Sequence, residues 1–412
     1  MSTPRSPHAP WGTSHLDSPH PLAEVRVCLV FEHSLSHYSR ILMEITALQD
    51  AGATVQLLTS HRDEHAPPGV QRTIAPLDSW VPGSTIAWRP LRIAHNLTRN
   101  ATHAVVCRVH PERYAKLRAA ALHRIVPDVD LFWVVDSLSL PSVLKATKGS
   151  GVRVLYETVD LVPEYHYRRL TRLRQERRAI GNIDGFITAC DSYAEYYIEK
   201  YGDVLRRPPM VRDNMPAEIA SQIKPTSRPL RILFLGSLMF DRPVTELIQA
   251  MTLVRNDATL TFQGKNFLGD ELSALIDELA LGDRVRLLAP CPAEAIVTTA
   301  GDYDVGIVAL RGLDENERLA STSKLFTFMA AGLAILGSNL PGIARVVEAY
   351  GNGILVHGIK PEDWAGAIDE MALLPVESID AMKQRSLEAA HLHSWERQAP
   401  EYVAEFVRAL AE

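Results

Sequence analysis

Short apolar runs alternate with helical patterns along this chain, and no other feature constrains its fold as strongly. Residues 25–31 and 54–59 are apolar runs of strand length, and residues 39–51 between them follow a helical period that ends at Gly52. A strand, a helix and a second strand in that order pair in parallel, with helices covering both faces of the sheet. Further strands of this first series are predicted at residues 130–135, 153–156 and 185–190.

A second series of the same kind follows a proline-rich stretch. Its predicted strands cover residues 231–235, 259–262, 285–288, 333–336 and 353–356, alternating with helices at 244–254, 268–281, 293–300 and 323–332. A chain of 412 residues is also longer than one ordinary core. We therefore predict a disordered leader (1–22), an N-terminal Rossmann-like domain (23–216), a linker (217–229), a C-terminal Rossmann-like domain (230–393) and a final helix (394–412). Residues 60–125 give weaker signals, with helical patterns at 91–99 and 111–125.

The charge balance and the cysteines narrow the class of protein. A net charge of −6 argues against a nucleic-acid-binding protein held by phosphate contacts. The four cysteines form no Cys-x-x-Cys pair and the 15 histidines include no His-Glu-x-x-His, so we expect reduced thiols in a cytoplasmic protein without a metal site. No apolar run approaches the ~20 residues of a membrane helix, and we expect no integral membrane association.

Residues 168–178 carry six arginines on a predicted helix, interrupted by Glu176. We interpret this segment as a solvated helix face, because no aromatic residues are interleaved with the charges. A phosphate-bearing or lipid acceptor is the alternative use of the same arginines.

The stretch 323–332 is a candidate phosphate-binding element. Ser323 is a good N-cap, and Gly332 is a natural stop before the apolar run 333–336. With Lys324 in the first turn, this helix would offer amide donors, the positive end of the helix dipole and an ammonium group, a combination that suits a diphosphate. An ordinary core helix capped by Ser323 is the alternative interpretation.

Other segments of the second series lie at predicted strand ends, where parallel sheets bind ligands. They are Gly236-Ser237 with Arg242, Gly264-Lys265, and the loop 312–322. Small residues, a helix start and cations together meet the needs of a nucleotide diphosphate, whose charges must be neutralised. The first strand is followed by no Gly-x-Gly-x-x-Gly, which argues against a dinucleotide site there.

Residues 323–332 read Ser-Lys-Leu-Phe-Thr-Phe-Met-Ala-Ala-Gly. This run resembles the Lys-Leu-Phe-Glu-Tyr-Met-Ala-Ala-Gly signature of retaining glycosyltransferases of the GT-B fold, family-4-like, and looser similarity extends over most of residues 25–411. The resemblance implies two Rossmann-like domains facing across a cleft, the donor in the C-terminal one, and a C-terminal helix crossing back to the N-terminal domain. The residues that we expect to bind the donor are Gly236, Ser237, Arg242, Gly264, Lys265, Glu317, Ser323, Lys324, Leu325 and Thr327.

One departure from this family concerns the donor sugar. The family has two glutamates eight positions apart, and Leu319 and Thr327 stand in their places here. A hydroxyl at Thr327 can bond a ribose oxygen, although less strongly than a carboxylate. We expect an unusual donor sugar, an unusual acceptor or lost activity.

A second departure concerns the segment after residues 153–156, which reads Asp-x-His-Glu-Leu in many relatives. Glu157 and Asp160 keep its acidic character, but Val159 replaces the histidine. The predicted catalytic residues are Asp160 and, in the first loop, His33 and His37, either of which could act as a general base.

The resemblance implies transfer of a sugar from a GDP- or UDP-sugar to a small-molecule acceptor, with retention at the anomeric carbon and without a metal or other cofactor. A thiol or thione acceptor, a role in natural-product biosynthesis and a homodimer stay open. Alternatives from other classes are a non-catalytic partner subunit, which the lost glutamates favour, and a GT-B-fold sugar epimerase or phosphorylase.

Overall fold

The computed structural model describes residues 18–31, 35, 38–59, 68–74, 122, 129–135, 137, 139–165 and 169–412. Several predictions fall elsewhere in the chain. His33, His37, the first 17 residues of the predicted leader, the helical pattern at 91–99 and nearly all of that at 111–125 lie outside the described residues.

The chain divides into two compact units. The first is drawn from residues 1–188, 197–210 and 399–412, and the second comprises residues 189–196 and 211–398. This division does not test the predicted domain boundaries at residues 216, 229 and 393, which stay predictions.

The first unit is built on one sheet. Its strands are β1 (Arg26–Val30), β2 (Thr54–Thr59), β3 (Gln71–Ile74), β4 (Leu131–Val135), β5 (Arg153–Thr158), β6 (Gly185–Thr188) and β7 (Met210–Val211). They lie in the order β3-β2-β1-β4-β5-β6-β7, and the pairings from β3 through β6 are parallel. Among the described residues, the helices that precede β8 are α1 (Ser39–Asp50), α2 (Leu140–Ala146), α3 (Val162–Tyr165), α4 (Arg169–Ile180) and α5 (Asp191–Tyr201).

The second unit repeats the architecture. Its strands are β8 (Leu230–Leu235), β9 (Ala258–Gln263), β10 (Val285–Leu288), β11 (Val305–Val308), β12 (Ala334–Ser338) and β13 (Gly353–Val356). They lie in the order β10-β9-β8-β11-β12-β13 and every pair is parallel. The remaining helices are α6 (Val244–Leu253), α7 (Glu271–Glu278), a 3₁₀ turn (Ala293–Ala295), α8 (Ile296–Ala300), α9 (Glu315–Leu319), α10 (Ser323–Ala330), α11 (Pro341–Tyr350), α12 (Pro361–Leu373), α13 (Val376–Leu392) and α14 (Trp395–Ala411).

The predicted α/β class with two parallel sheets is confirmed. In both sheets the chain adds strands outward from a central pair, β1 and β4 in the first sheet and β8 and β11 in the second, as in Rossmann-like folds. Strand β3 was not predicted, because its Gln-Arg-Thr-Ile sequence at the sheet edge lacks an apolar run. Within the described residues, each helix is too short or too polar to cross a bilayer.

Alternate residues of β8 enter two core layers on opposite faces of its sheet. Leu233 and Leu235 pack in one layer with the apolar residues of α10. Ile232 and Phe234 pack in the other with α6 and α12. Helix α10 is therefore fixed against one face of the second sheet.

Glu157, near the end of β5, is a fully buried carboxylate that joins three other elements. Its Oε1 accepts a hydrogen bond from Arg40 at 2.5 Å, and its Oε2 accepts from Trp133 Nε1 and Tyr402 Oη at 3.0 Å each. Arg40 also pairs with Glu44 at 2.9 Å. Since these residues come from α1, β4 and α14, Glu157 belongs to the core of the first unit.

Glu176, which interrupts the arginines of α4, is buried. Its carboxylate accepts hydrogen bonds from Tyr197 at 2.8 Å and Tyr201 at 3.1 Å, with Tyr156 at 3.5 Å. Burial outweighs these donors and raises the pKa of Glu176 from its ordinary 4.5 to about 7. Arg174 of the same helix is exposed, so α4 has one charged face and one buried acid.

We predict that Glu176→Gln changes how stability depends on pH. Because the folded-state pKa is raised, protonation of Glu176 favours folding, and this contribution is complete below about pH 4.5 and lost as the pH rises through 7. The non-ionising amide should therefore gain stability relative to the parent between about pH 5 and 8, by on the order of 3 kcal/mol at most. Thermal unfolding midpoints across that range measure the difference.

Glu199→Gln is the matched control, since it removes an exposed carboxyl group from α5. Its unfolding midpoint should follow that of the parent at each pH. A Glu176→Gln curve that runs parallel to the parent would contradict the raised pKa.

Candidate functional site

The carboxyl ends of β8 and β9 approach each other closely at two glycines. The Gly236 N–H donates to the Gln263 carbonyl at 3.0 Å, and a Cβ built on Gly264 would lie 1.8 Å from the Gly236 carbonyl oxygen. Gly236 also has a φ of +129°, which residues with side chains rarely adopt. Both positions therefore require glycine, and the two predicted glycine sites lie side by side.

The loops that follow remain paired beyond the strands. The Leu238 N–H donates to the Lys265 carbonyl at 2.9 Å, and the Phe267 N–H donates to the Leu238 carbonyl at 3.0 Å. Ser237 and Lys265 are exposed, and Lys265 Nζ lies 4.7 Å from the centroid of the Phe267 ring. This cation–π contact holds the ammonium at the surface of the loop.

Helix α10 begins at Ser323 with Thr322 as its N-cap, which corrects the prediction that Ser323 is the cap. The Thr322 carbonyl accepts the Leu325 N–H at 3.0 Å, whereas its hydroxyl makes no capping hydrogen bond. That hydroxyl is buried and has no partner among the described residues. Ser323 and Lys324 form the first turn, where amides point out of the helix.

The predicted stop at Gly332 is confirmed. Gly332 has a φ of +69°, and the N–H groups of Gly332 and Leu333 donate to the carbonyls of Met329 and Phe328 at 3.0 Å each. This pair of bonds is a Schellman motif, which requires the left-handed conformation that glycine supplies. The chain then turns directly into β12.

Lys324 places a cation beside the glycine turn. Its side chain is exposed, and a Cβ built on Gly236 would lie 3.2 Å from Lys324 Cε. The lysine stem therefore passes next to Gly236, and the first turn of α10 shares one edge of the sheet with the β8–β9 glycines. Amide donors, a positive dipole end and an ammonium group together can bind a phosphate.

Arg242, in the loop that leaves β8, forms an ion pair with Glu317 of α9. Arg242 Nη1 lies 3.1 Å from Glu317 Oε1, and Asp241 Oδ2 lies 3.9 Å from Arg242 Nη2. Glu317 Oε2 accepts the Leu313 N–H at 3.0 Å, and Asp314, the N-cap of α9, accepts the Glu317 N–H at 2.9 Å. The Glu317 carboxylate is thus held by backbone as well as by Arg242.

Arg311, three residues after β11, ties the Arg242 loop to the next strand end. Its Nη2 donates to the Arg242 carbonyl at 3.2 Å, and its guanidinium contacts both carboxylate oxygens of Glu246, at 2.8 and 3.0 Å. Arg311 was not among the predicted site residues, although the strand-end rule applied to β11 would have found it. The buried Thr322 hydroxyl and the buried Gln263 side-chain oxygen, neither with a partner among the described residues, carried no sequence signal.

Two predicted donor-binding side chains are engaged inside the fold. The Thr327 hydroxyl donates to the Ser323 carbonyl at 2.8 Å, and Thr327 is 7% exposed. Leu325 is fully buried in the core. Thr327 therefore presents acceptor lone pairs rather than a free donor, and Leu325 anchors the helix.

Asp160 follows β5 in the first unit, whereas every predicted donor-binding residue belongs to the second unit. Its side chain is exposed, and its carbonyl accepts the Thr158 hydroxyl at 2.7 Å. Its catalytic role stays a prediction.

Comparison with known families matches residues 229–373 to the family described as Glycosyl transferases group 1. The D-inositol 3-phosphate glycosyltransferase of Corynebacterium urealyticum is 30% identical over 132 residues, which cover 32% of this chain and 30% of that protein. The protein of the same name from Paenarthrobacter aurescens is 23% identical over 291 residues, covering 65% of this chain and 69% of that protein. The match to the first of these relatives thus spans less than a third of its length.

Solved structures share the fold over nearly the whole chain. Sucrose-phosphate synthase (tll1590) from Thermosynechococcus elongatus gives a TM-score of 0.63 at 18% identity, covering 92% of this chain and 97% of that one. Anabaena Alr3699/HepE in complex with UDP-glucose gives a TM-score of 0.64 at 13% identity, covering 93% and 99%.

These comparisons confirm the resemblance to family-4-like glycosyltransferases of the GT-B fold. Residues 229–373 match the group 1 glycosyltransferase family, and all of the predicted donor-binding residues lie within the matched stretch.

We predict that Gly264→Ala damages this edge of the sheet. The new Cβ would overlap the Gly236 carbonyl oxygen at 1.8 Å, so the backbone of one strand end must move. Overpacking of this kind costs about 1–3 kcal/mol of stability or more. Thermal unfolding of the variant beside the parent measures the loss.

Gly282→Ala is the matched control, because nothing lies within 4 Å of a Cβ built there. It should unfold at the temperature of the parent. Equal stability of Gly264→Ala and Gly282→Ala would show that the close approach of β8 and β9 is not a constraint.

Proposed function

We propose that this chain is a glycosyltransferase that moves a sugar from a nucleotide diphosphate sugar to a small-molecule acceptor. The proposal rests on one arrangement. Gly236, Gly264 and the first turn of α10, which carries Lys324, lie together at one edge of the second sheet, and Arg242 lies in the loop that follows β8. The family match over residues 229–373, which contain all of these groups, supports it.

The diphosphate of the donor would lie against this edge. Lys324, Arg242 and the first-turn amides of α10 would share its negative charge. UDP is supported as the nucleotide by the neighbour Alr3699/HepE, whose structures are complexes with UDP and with UDP-glucose. GDP is the second nucleotide to test.

In the proposed reaction, the bond between the anomeric carbon and a diphosphate oxygen breaks, and a bond to the acceptor's nucleophilic atom forms on the same face of the sugar. The departing diphosphate gains charge as the bond breaks, and cations already in place stabilise charge where it develops. The acceptor's proton passes to a diphosphate oxygen, so the transfer uses neither a strong protein base nor a metal ion. His33, His37 and Asp160 would orient the acceptor.

The names of the curated relatives give a first acceptor to test. Those proteins are named for D-inositol 3-phosphate, and we propose a hydroxyl of a small polar molecule of this kind as the nucleophile. A thiol or thione is the second acceptor class, since a sulfur nucleophile would need even less help from a base.

One observation favours a second function, that of a non-catalytic partner subunit. Thr327 and Leu319 stand where the family has glutamates, and the Thr327 hydroxyl is committed to the Ser323 carbonyl. Incubation with UDP-glucose and GDP-mannose separates the two functions. Slow hydrolysis or transfer supports an enzyme, whereas binding without turnover supports a partner subunit.

Arg242→Ala and Lys324→Ala test the diphosphate site. Each should weaken binding of the nucleotide sugar by about 1.5–3 kcal/mol, because each removes a hydrogen bond between charged groups. Isothermal titration calorimetry with UDP-glucose, and with GDP-mannose if UDP-glucose does not bind, measures the change.

Arg255→Ala is the control for lost positive charge, since this exposed arginine precedes β9 at the amino end of the sheet. Its affinity should equal that of the parent. Parent-like affinity in both Arg242→Ala and Lys324→Ala would overturn the assignment of the site.

Thr327→Glu restores the glutamate of the family and should harm a site that has been rebuilt around threonine. Position 327 is 7% exposed and its side chain faces the Ser323 carbonyl at 2.8 Å, so a carboxylate there would lose water without gaining a donor. The cost is roughly 2–4 kcal/mol in stability or donor affinity. Unfolding midpoints and affinities across a panel of nucleotide sugars measure it.

Thr327→Val is the matched control, because it keeps the shape of threonine and loses only the hydroxyl. It should cost about 1 kcal/mol, the value of one hydrogen bond. A parent inert with every donor, beside a Thr327→Glu variant that gains binding, would identify a decayed site instead of a rebuilt one.

A further inference from the structure

Glu317 brings a negative charge to a site proposed to bind negative charge. Its Oε1 lies 3.1 Å from Nη1 of Arg242, the proposed diphosphate ligand, closer than the Asp241 carboxylate at 3.9 Å. The neighbouring pair of Arg311 and Glu246 is internally neutral, with contacts at 2.8 and 3.0 Å. Before any ligand arrives, the charge of Arg242 is therefore already compensated by Glu317.

The Glu317 carboxylate is more firmly held than its partner. Its side chain is 12% exposed, against 32% for Arg242. One of its oxygens accepts the Leu313 N–H at 3.0 Å, and its backbone is fixed in the first turn of α9 by the Asp314 cap. When Arg242 turns a second N–H towards a phosphate, Glu317 stays in place.

A nucleotide sugar and a nucleoside diphosphate differ in charge at the phosphate that carries the sugar. In the donor that phosphate is a diester with one negative charge. In the product it is a terminal monoester, whose second pKa near 6 gives it almost two charges at neutral pH. The product therefore brings about one more negative charge to the neighbourhood of Arg242 and Glu317.

We infer that Glu317 sets the charge selectivity of this site, weakening the binding of the nucleoside diphosphate product more than that of the nucleotide sugar donor. The inference rests on the proposed function. At an effective dielectric constant of about 40 and a separation of about 7 Å, one extra pair of like charges lowers affinity on the order of five- to tenfold. Glu317 thus favours release of the product after transfer.

Glu317→Gln tests the inference with UDP and UDP-glucose as probes. The amide keeps an oxygen for the Leu313 N–H, so the turn of α9 is preserved, and only the charge is lost. By calorimetry at pH 7.5, both probes should bind more tightly than to the parent, and the gain for UDP should exceed the gain for UDP-glucose on the order of five- to tenfold. Stronger inhibition by UDP should accompany any turnover.

Glu315→Gln is the matched control. It removes the same charge from the same short helix, but Glu315 pairs with Arg318 at 2.9 Å, and both side chains are at least a third exposed. Solvent screens such a charge, so affinity for both probes should stay close to that of the parent. Tightening of UDP equal to that of Glu317→Gln would overturn the inference in favour of a general charge effect.

The other outcomes are distinct. Unchanged UDP affinity with weaker UDP-glucose binding would make Glu317 a contact of the donor sugar, and equal weakening of both probes would make it a positioning residue for Arg242. Either result overturns the inference while leaving the proposed function standing. A parent that binds neither UDP and UDP-glucose nor GDP and GDP-mannose overturns the proposed function, and the inference with it.

Discussion

The second unit depends on two backbones that meet with no side chain between them. The approach of Gly264 to the Gly236 carbonyl lets β8 and β9 stay paired past their ends, so that the turn after β8 lies against the first turn of α10. Any Cβ at position 264 would separate these parts. Amide donors, the dipole end of α10 and Lys324 act on one small volume only because this contact holds them together.

Electrostatics at this edge follow from the same closeness. The ends of β8 and β11 bring Arg242 and Arg311 close together, and cations so placed repel unless carboxylates stand between them. Glu246 and Glu317 supply those carboxylates, one on Arg311 and one on Arg242. Glu317 and Glu246 stabilise the fold by pairing with these arginines, and they therefore also compete with any anion that binds there. Affinity and release are set by the same ion pair.

The sequence predicted what periodicity and turn chemistry encode, and little of what depends on neighbours from distant segments. The strands at 54–59, 285–288 and 353–356 and the stop at Gly332 match the structure residue for residue, because apolar runs and left-handed turns are local signals. The N-cap was misplaced by one residue, since Thr322 and Ser323 are both common caps and Ser is the more favoured type. The partnership of Arg242 and Glu317 joins positions 75 residues apart, and no local pattern records it.

The acidic segment at the end of β5 shows how strand geometry separates residues that are close in the sequence. Glu157 still lies within the strand and points into the core, where Arg40, Trp133 and Tyr402 occupy its lone pairs. Three residues later the strand has ended, and Asp160 is exposed. Moving this carboxylate would break its buried hydrogen bonds to Arg40, Trp133 and Tyr402, which costs stability. Glu157 is therefore committed to the core, and the chemistry of the first unit cannot rest on it.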